Sequence, residues 1–105
     1  MTLNEFNQLL QTTGFPVAYL AFPADEPAPM PFIVYQEVGS DNFGADNIVW
    51  NSAMRIQIDL LTAKKSRTME ETLEAVLTNA GIYWDRESGY DDGEDYFRTT
   101  YDIEI

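Results

Sequence analysis

Seven residues, Met54-Arg55-Ile56-Gln57-Ile58-Asp59-Leu60, alternate without a break between apolar and polar or charged side chains. Side chains of a strand point to opposite faces at every step, so this pattern belongs to a strand with one buried and one wet face. Such a strand is not stable by itself. It requires neighbouring strands and an apolar layer over Met54, Ile56, Ile58 and Leu60.

Two segments have the period of that covering layer. Leu3, Phe6, Leu9 and Leu10 fall on one side of a helix. Thr2 and Glu5 stand in capping-box spacing before it, and Gly14 is a natural stop. A second helix is expected over residues 67–80, with Met69, Leu73, Val76, Leu77 and Ala80 as its apolar stripe. Ser66 or Thr68 can cap it, Thr68 with Glu71 in capping-box spacing, and Gly81 ends it. Glu70, Glu71 and Glu74 are expected to face water.

The remaining strands are read from β-rich runs and the turn residues between them. Residues 17–22 and 32–38 read as strands, the second apolar on both faces at its start, as in a central or covered strand. Between them Pro23, Pro27, Pro29 and Pro31 exclude helix and sheet interior. Residues 39–47, rich in Gly, Asp and Asn, read as a loop, with residues 48–50 starting another strand. Residues 82–87 and 96–105 read as strands flanking an acidic turn at 88–95, with Phe97, Tyr101, Ile103 and Ile105 on one face. The order predicts a single α+β domain over residues 1–105: two layers, a mostly antiparallel sheet with two helices packed on one face.

The chain has 105 residues, 45% of them hydrophobic, enough for one modest core. No apolar run approaches the length of a membrane span, and Met-Thr-Leu-Asn-Glu holds no basic stretch ahead of an apolar one, so neither membrane insertion nor a signal peptide is expected. Cysteine and histidine are both missing. Disulfides, thiolate nucleophiles, Ser-His-Asp triads and His- or Cys-ligated metals are therefore excluded. Any acid–base chemistry would rest on carboxylates, Lys or Tyr. Eighteen acidic against six basic residues give a net charge of −12. Such a surface repels phosphates, so specific nucleic-acid binding is not expected. The excess suits solubility, a wall along a DNA passage, mimicry of DNA, or a basic partner.

The densest carboxylate run, Gly89-Tyr90-Asp91-Asp92-Gly93-Glu94-Asp95, lacks EF-hand spacing and reads as a solvated turn rather than a calcium loop. Asp41, Asp46 and Asp59 have no spacing that marks a hydrolytic pair. No phosphate-cradling or nucleophile-elbow motif occurs, so neither catalysis nor a cofactor is expected. Lys64-Lys65-Ser66-Arg67 is the one basic cluster and reads as an exposed turn or partner contact. Phe43, Ile48, Val49 and Trp50 put large apolar groups beside a Gly/Asp/Asn-rich stretch, which suits either the core or a contact between subunits.

In order along the chain stand an amphipathic helix, Pro31-Phe32-Ile33-Val34-Tyr35, Gly44-Ala45-Asp46-Asn47, residues 54–62, a Lys/Ser turn, Glu70-Glu71-x-x-Glu74-x-x-Leu77, Gly81-Ile82 and a terminal strand. This ordered set resembles the small tail-terminator (tail-completion or neck) proteins of long-tailed bacteriophages and prophages. The resemblance implies an α+β structural subunit that assembles into a ring, generally a hexamer, which caps the tail tube and offers the surface that joins the head. It implies as partners further copies of the chain, the major tail tube protein and head-completion or connector proteins, with assembly in the bacterial cytoplasm and residence in the virion. In such a ring Phe43, Ile48, Val49 and Trp50 are the expected subunit contacts, and Asp91, Asp92, Glu94 and Asp95 could line the lumen. The alternatives are a head-completion or other neck protein, and a small acidic inhibitor that mimics DNA.

Overall fold

The computed structural model of the chain describes residues 1–23, 25, 28–45, 48–91 and 96–105, and of residues 41–45, 48–52, 90 and 91 the backbone alone. The elements run α1 (Leu3–Gln11), β1 (Val17–Tyr19), β2 (Phe32–Ala45), β3 (Ile48–Thr62), α2 (Arg67–Asn79), β4 (Trp84–Asp91) and β5 (Tyr96–Glu104). The strands form one sheet in the order β1-β2-β3-β5-β4. Only the β1–β2 pair is parallel.

The alternating strand supplies the middle of that sheet. Ile56, Ile58 and Leu60 are fully buried, and across the ladders they meet Ile33 and Tyr35 of β2 and Tyr101 and Ile103 of β5. Phe6 and Leu10 of α1 and Leu73 and Leu77 of α2 close over the same face. The fold is thus a two-layer α+β domain, its helices on one side and the opposite sheet face half-open.

Local sequence explains the helix ends. Thr2 accepts from the Glu5 N–H while Glu5 accepts from the Thr2 N–H, completing the capping box. At α2 the cap is Ser66, whose Oγ accepts from the Met69 N–H at 3.3 Å. Thr68 lies inside the first turn, so the Thr68/Glu71 box does not form. Ser66→Ala is expected to cost about 1 kcal/mol and Thr68→Ala much less, readable from urea midpoints.

Three expected boundaries are corrected. Ile82 is no strand residue: Gly81 takes φ +76, its N–H reaches the Thr78 carbonyl, and the Ile82 N–H reaches Leu77, a Schellman closure that buries Ile82 against the helix. The first strand stops at Tyr19 because Leu20, at φ +70, turns the chain out of the extended region. Residues 39–45 and 88–91 are strand rather than loop or turn. In both cases ladder pairing to a strong partner outweighs poor intrinsic propensity.

The first of those extensions shapes the molecule. Strands β2 and β3 continue as a hairpin beyond Arg55, where the β3–β5 ladder ends, and the bulges between Glu37 and Gly39 and between Phe43 and Gly44 each absorb an irregular step. The result is a two-stranded arm. The longest dimension is 50 Å, and the radius of gyration, 14.9 Å, exceeds the ~13 Å of a compact chain this size.

Candidate functional site

Three features stand out beyond the core: an ion-paired cluster under α2, the open sheet face, and the arm with the free sheet edges.

The cluster is where the charge reading needs its main correction. Glu71 faces water, but Glu70 and Glu74 are buried, with residue exposures of 1% and 7%. They lie one turn apart beside Leu73 and Leu77, on the flank of α2 that meets β4 and β5. A buried carboxylate is tolerable only when paired and hydrogen-bonded. Glu70 receives Lys65 Nζ at 2.8 Å and Arg67 Nη1 at 2.7 Å, with Arg86 Nη1 at 3.7 Å. Glu74 receives Arg86 Nη1 and the Tyr101 hydroxyl, each at 2.8 Å, and Arg67 Nη1 at 3.4 Å. Lys65 also donates to Ser88 on β4. Among the described residues no buried side-chain nitrogen or oxygen lacks a partner.

Burial pushes the Glu74 carboxyl up, but hydrogen bonds from Tyr101, Arg86 and Arg67 outweigh it and hold it below the usual carboxylate range. Burial, and then the neighbouring Glu74 carboxylate, push the Tyr101 phenol strongly upward. Each acid is engaged by fixed donors, and the arrangement works chemically as a clamp between α2, β4 and β5. Of the basic run, Lys65 and Arg67 enter this clamp and Ser66 caps the helix, which is more than an exposed turn does.

On the open face the registers align Asp85, Asp102 and Gln57 in one row and Glu87, Thr100 and Asp59 in the next. Asp59 accepts from Thr100 Oγ1 at 2.7 Å. Further along, the half-buried Phe32, Val34 and Leu61 form a shallow apolar groove with Leu20, Phe22 and Arg98. Phe22 and Phe32 meet edge to face with ring centres 5.2 Å apart. Among the described residues no three acidic side chains gather in a way that could hold a metal ion, and no helix is long and apolar enough to cross a membrane.

Of the residues singled out from sequence, Phe43 lies in β2 opposite Asn51, Val49 opposite Gly44 and Ile48 opposite Ala45, with Trp50 following in β3. The backbone therefore brings all four onto the arm, away from the helices. Their side chains lie outside the described residues. Asp91 ends β4 opposite Tyr96, and Asp92, Glu94 and Asp95 lie outside the described residues. Sequence reasoning missed the clamp. Its signal was Glu70 and Glu74 at i, i+4 flanking the apolar stripe, directly after three basic residues.

Fold and surface together define a two-layer α+β domain with a projecting hairpin and a large open sheet. No family model matches the chain, and no curated protein does. Among solved structures, a chain of the virion of a native gene transfer agent particle has a similar fold. The two share 14% sequence identity at a TM-score of 0.56, over 91% of this chain and 81% of that one.

Proposed function

We propose that this protein is a structural component of a phage-like particle and, more finely, a ring-forming tail terminator that caps the tail tube and provides the head-joining surface. The observation that carries this reading is the fold shared over nearly the whole chain with a chain of a gene transfer agent virion. The ordered sequence resemblance to tail-terminator proteins points the same way. The arm supports it as well, because an isolated two-stranded hairpin is marginal in water and gains stability by lying against another chain. The site chemistry agrees: the buried acids are engaged by their own cations, as a clamp requires. Its partners on this reading are further copies in a ring, the major tail tube protein and head-completion or connector proteins, without catalysis or cofactor. An acidic wall repels DNA passing through such a ring.

The reading is tested in a host producing the particle, by disrupting the gene and isolating particles. Mass spectrometry of intact particles is expected to find the protein, and its loss to leave heads unjoined to tails of uncontrolled length. Normal particles from the disrupted gene would refute the assignment. A defect confined to genome retention, with tails of normal length, would move the protein to the head-completion layer.

A DNA-mimicking inhibitor gains one observation, the rows of Asp59, Asp85, Glu87 and Asp102 on one sheet face. That face also carries Arg98 and the apolar Phe32, Val34 and Leu61, which a phosphate mimic does not need. Inclusion in the particle separates the two readings.

A further inference from the structure

The sheet has two outer edges. Beside β2, β1 forms the edge at residues 33–35 and the Tyr19 hydroxyl takes the Glu37 N–H just beyond; among the described residues no strand pairs with the outer side of β4 over its eight residues. Open edges are templates for another strand, and an uncovered one of this length needs an explanation.

The registers relate the two edges. Trp84 stands opposite Ile103, Ile103 opposite Ile56, and Ile56 opposite Glu37. Glu87 is level in the same way with Thr100, Asp59, Val34 and Ala18, so β4 and β1 sit at the same height on opposite edges of the sheet. By the same ladder Arg86 is level with Tyr101, Ile58, Tyr35 and Tyr19. Direction matches too. Strand β4 runs against β5, and β5 runs with β2 and β1, so β4 of one copy placed beside β1 and β2 of an identically oriented copy is antiparallel to them. Antiparallel pairing is the more stable ladder.

Both edges also expose large apolar groups. Tyr83 is 79% exposed beside β4, and Leu20 (59%), Tyr19 and Val38 (43% each) flank the other edge. The mixed charges of Asp85, Arg86 and Glu87 discourage indiscriminate pairing at β4.

We infer that copies of this chain join head to tail, β4 of one adding antiparallel to the β1 edge of the next, with Glu87 of one copy level with Ala18 of its neighbour. The occupant is a second copy because both halves of the contact lie on one sheet, level and of opposite sense. A rotation repeated without rise needs that match, since it brings each copy's leading edge to the next copy's trailing edge at equal height. The inference rests on the self-assembly part of the reading above and names its surface.

Cross-linking tests it without background, because the chain has no cysteine. Ala18→Cys combined with Glu87→Cys covers the level register, and Ala18→Cys with Asp85→Cys covers the register two residues along. Each is oxidised at high protein concentration next to its single variants, with light scattering in parallel. A disulfide requires Cα atoms within about 7 Å. At least one double variant is expected to give a ladder of covalent oligomers on non-reducing gels, lost with either single. Single variants that dimerise as fully as the doubles would mean a two-fold contact and overturn the inference. Oligomers in solution with no cross-link in either double overturn this contact while leaving self-assembly standing. Monomers throughout, without cross-links, overturn both.

Discussion

Replacing residues 42–52 by Asn-Gly is expected to abolish assembly into particles while leaving the domain folded. Asp41 and Ala53 face each other across the β2–β3 ladder, and Met54 keeps both its backbone bonds to Ile105, so a two-residue type I′ turn joins Asp41 to Ala53 without altering the pairs below. Every residue of the core cluster lies outside the excised segment, as do the β1–β2 and β3–β5 ladders. Shortening a surface connection changes chain entropy little, and stability should move by about 1 kcal/mol or less. Assembly loses the whole arm, which extends roughly 20 Å past the last β3–β5 pair at ~3.3 Å per residue. Phe43→Ala and Trp50→Ala should reproduce part of the defect with unchanged melting temperature. The measurements are thermal melting of the purified variants and recovery of joined particles in complementation. Normal particles from the truncated chain would show that the arm has no part in assembly. A large drop in melting temperature for Phe43→Ala or Trp50→Ala would return those residues to a packing role.

That experiment targets the part of the molecule that sequence pattern described least well. The alternating run in β3, the two amphipathic helices and the Thr2/Glu5 capping box were readable because each writes its period or spacing directly into neighbouring residues. The arm was not. Gly39, Asp41, Asn42 and Gly44 each disfavour a strand locally, and only the facing residues of β3 make one of them. The same distinction separates Glu71 from Glu70 and Glu74. All three read as solvated acids on a helix, and what buries two of them is Arg86 and Tyr101, which the ladders bring beneath α2 from the far end of the chain. The level match of Glu87 with Ala18 likewise depends on register across five strands, information that no local window contains. Phe32–Tyr35, apolar on both faces, did signal a strand inside the sheet, between β1 and β3, and its open-face members are only half-buried within the domain.

Arg86→Leu is expected to destabilise the fold by about 3 kcal/mol at neutral pH, because it strands a buried carboxylate. Glu74 would keep the Tyr101 hydroxyl and the longer contact to Arg67 at 3.4 Å, which places the cost toward the low end of what breaking a buried pair involves. The pH dependence identifies the cause. In the parent chain the Glu74 carboxyl is held below its ordinary value of 4.5. Its ionised form therefore contributes stability that is fully present above that value and is lost as pH falls through the folded-state value. In the variant the carboxylate has lost a close cation, so protonation costs the folded state less or even relieves it. The stability gap between parent and variant should thus narrow as pH falls from neutrality through the carboxylate range. Removing the acid together with its two close partners tests the same idea from the other side. Glu74→Leu with Arg86→Leu and Tyr101→Phe leaves no unpaired acid or hydroxyl at the centre of the clamp, and apolar replacement of a buried ion pair is often neutral or stabilising. The triple variant is expected to recover most of the loss seen with Arg86→Leu alone. Urea unfolding of the three proteins across the acid range measures both effects. A gap that stays constant with pH, or a triple variant no more stable than the single, would mean that Arg86 acts through its packing on β4 and not through the Glu74 charge.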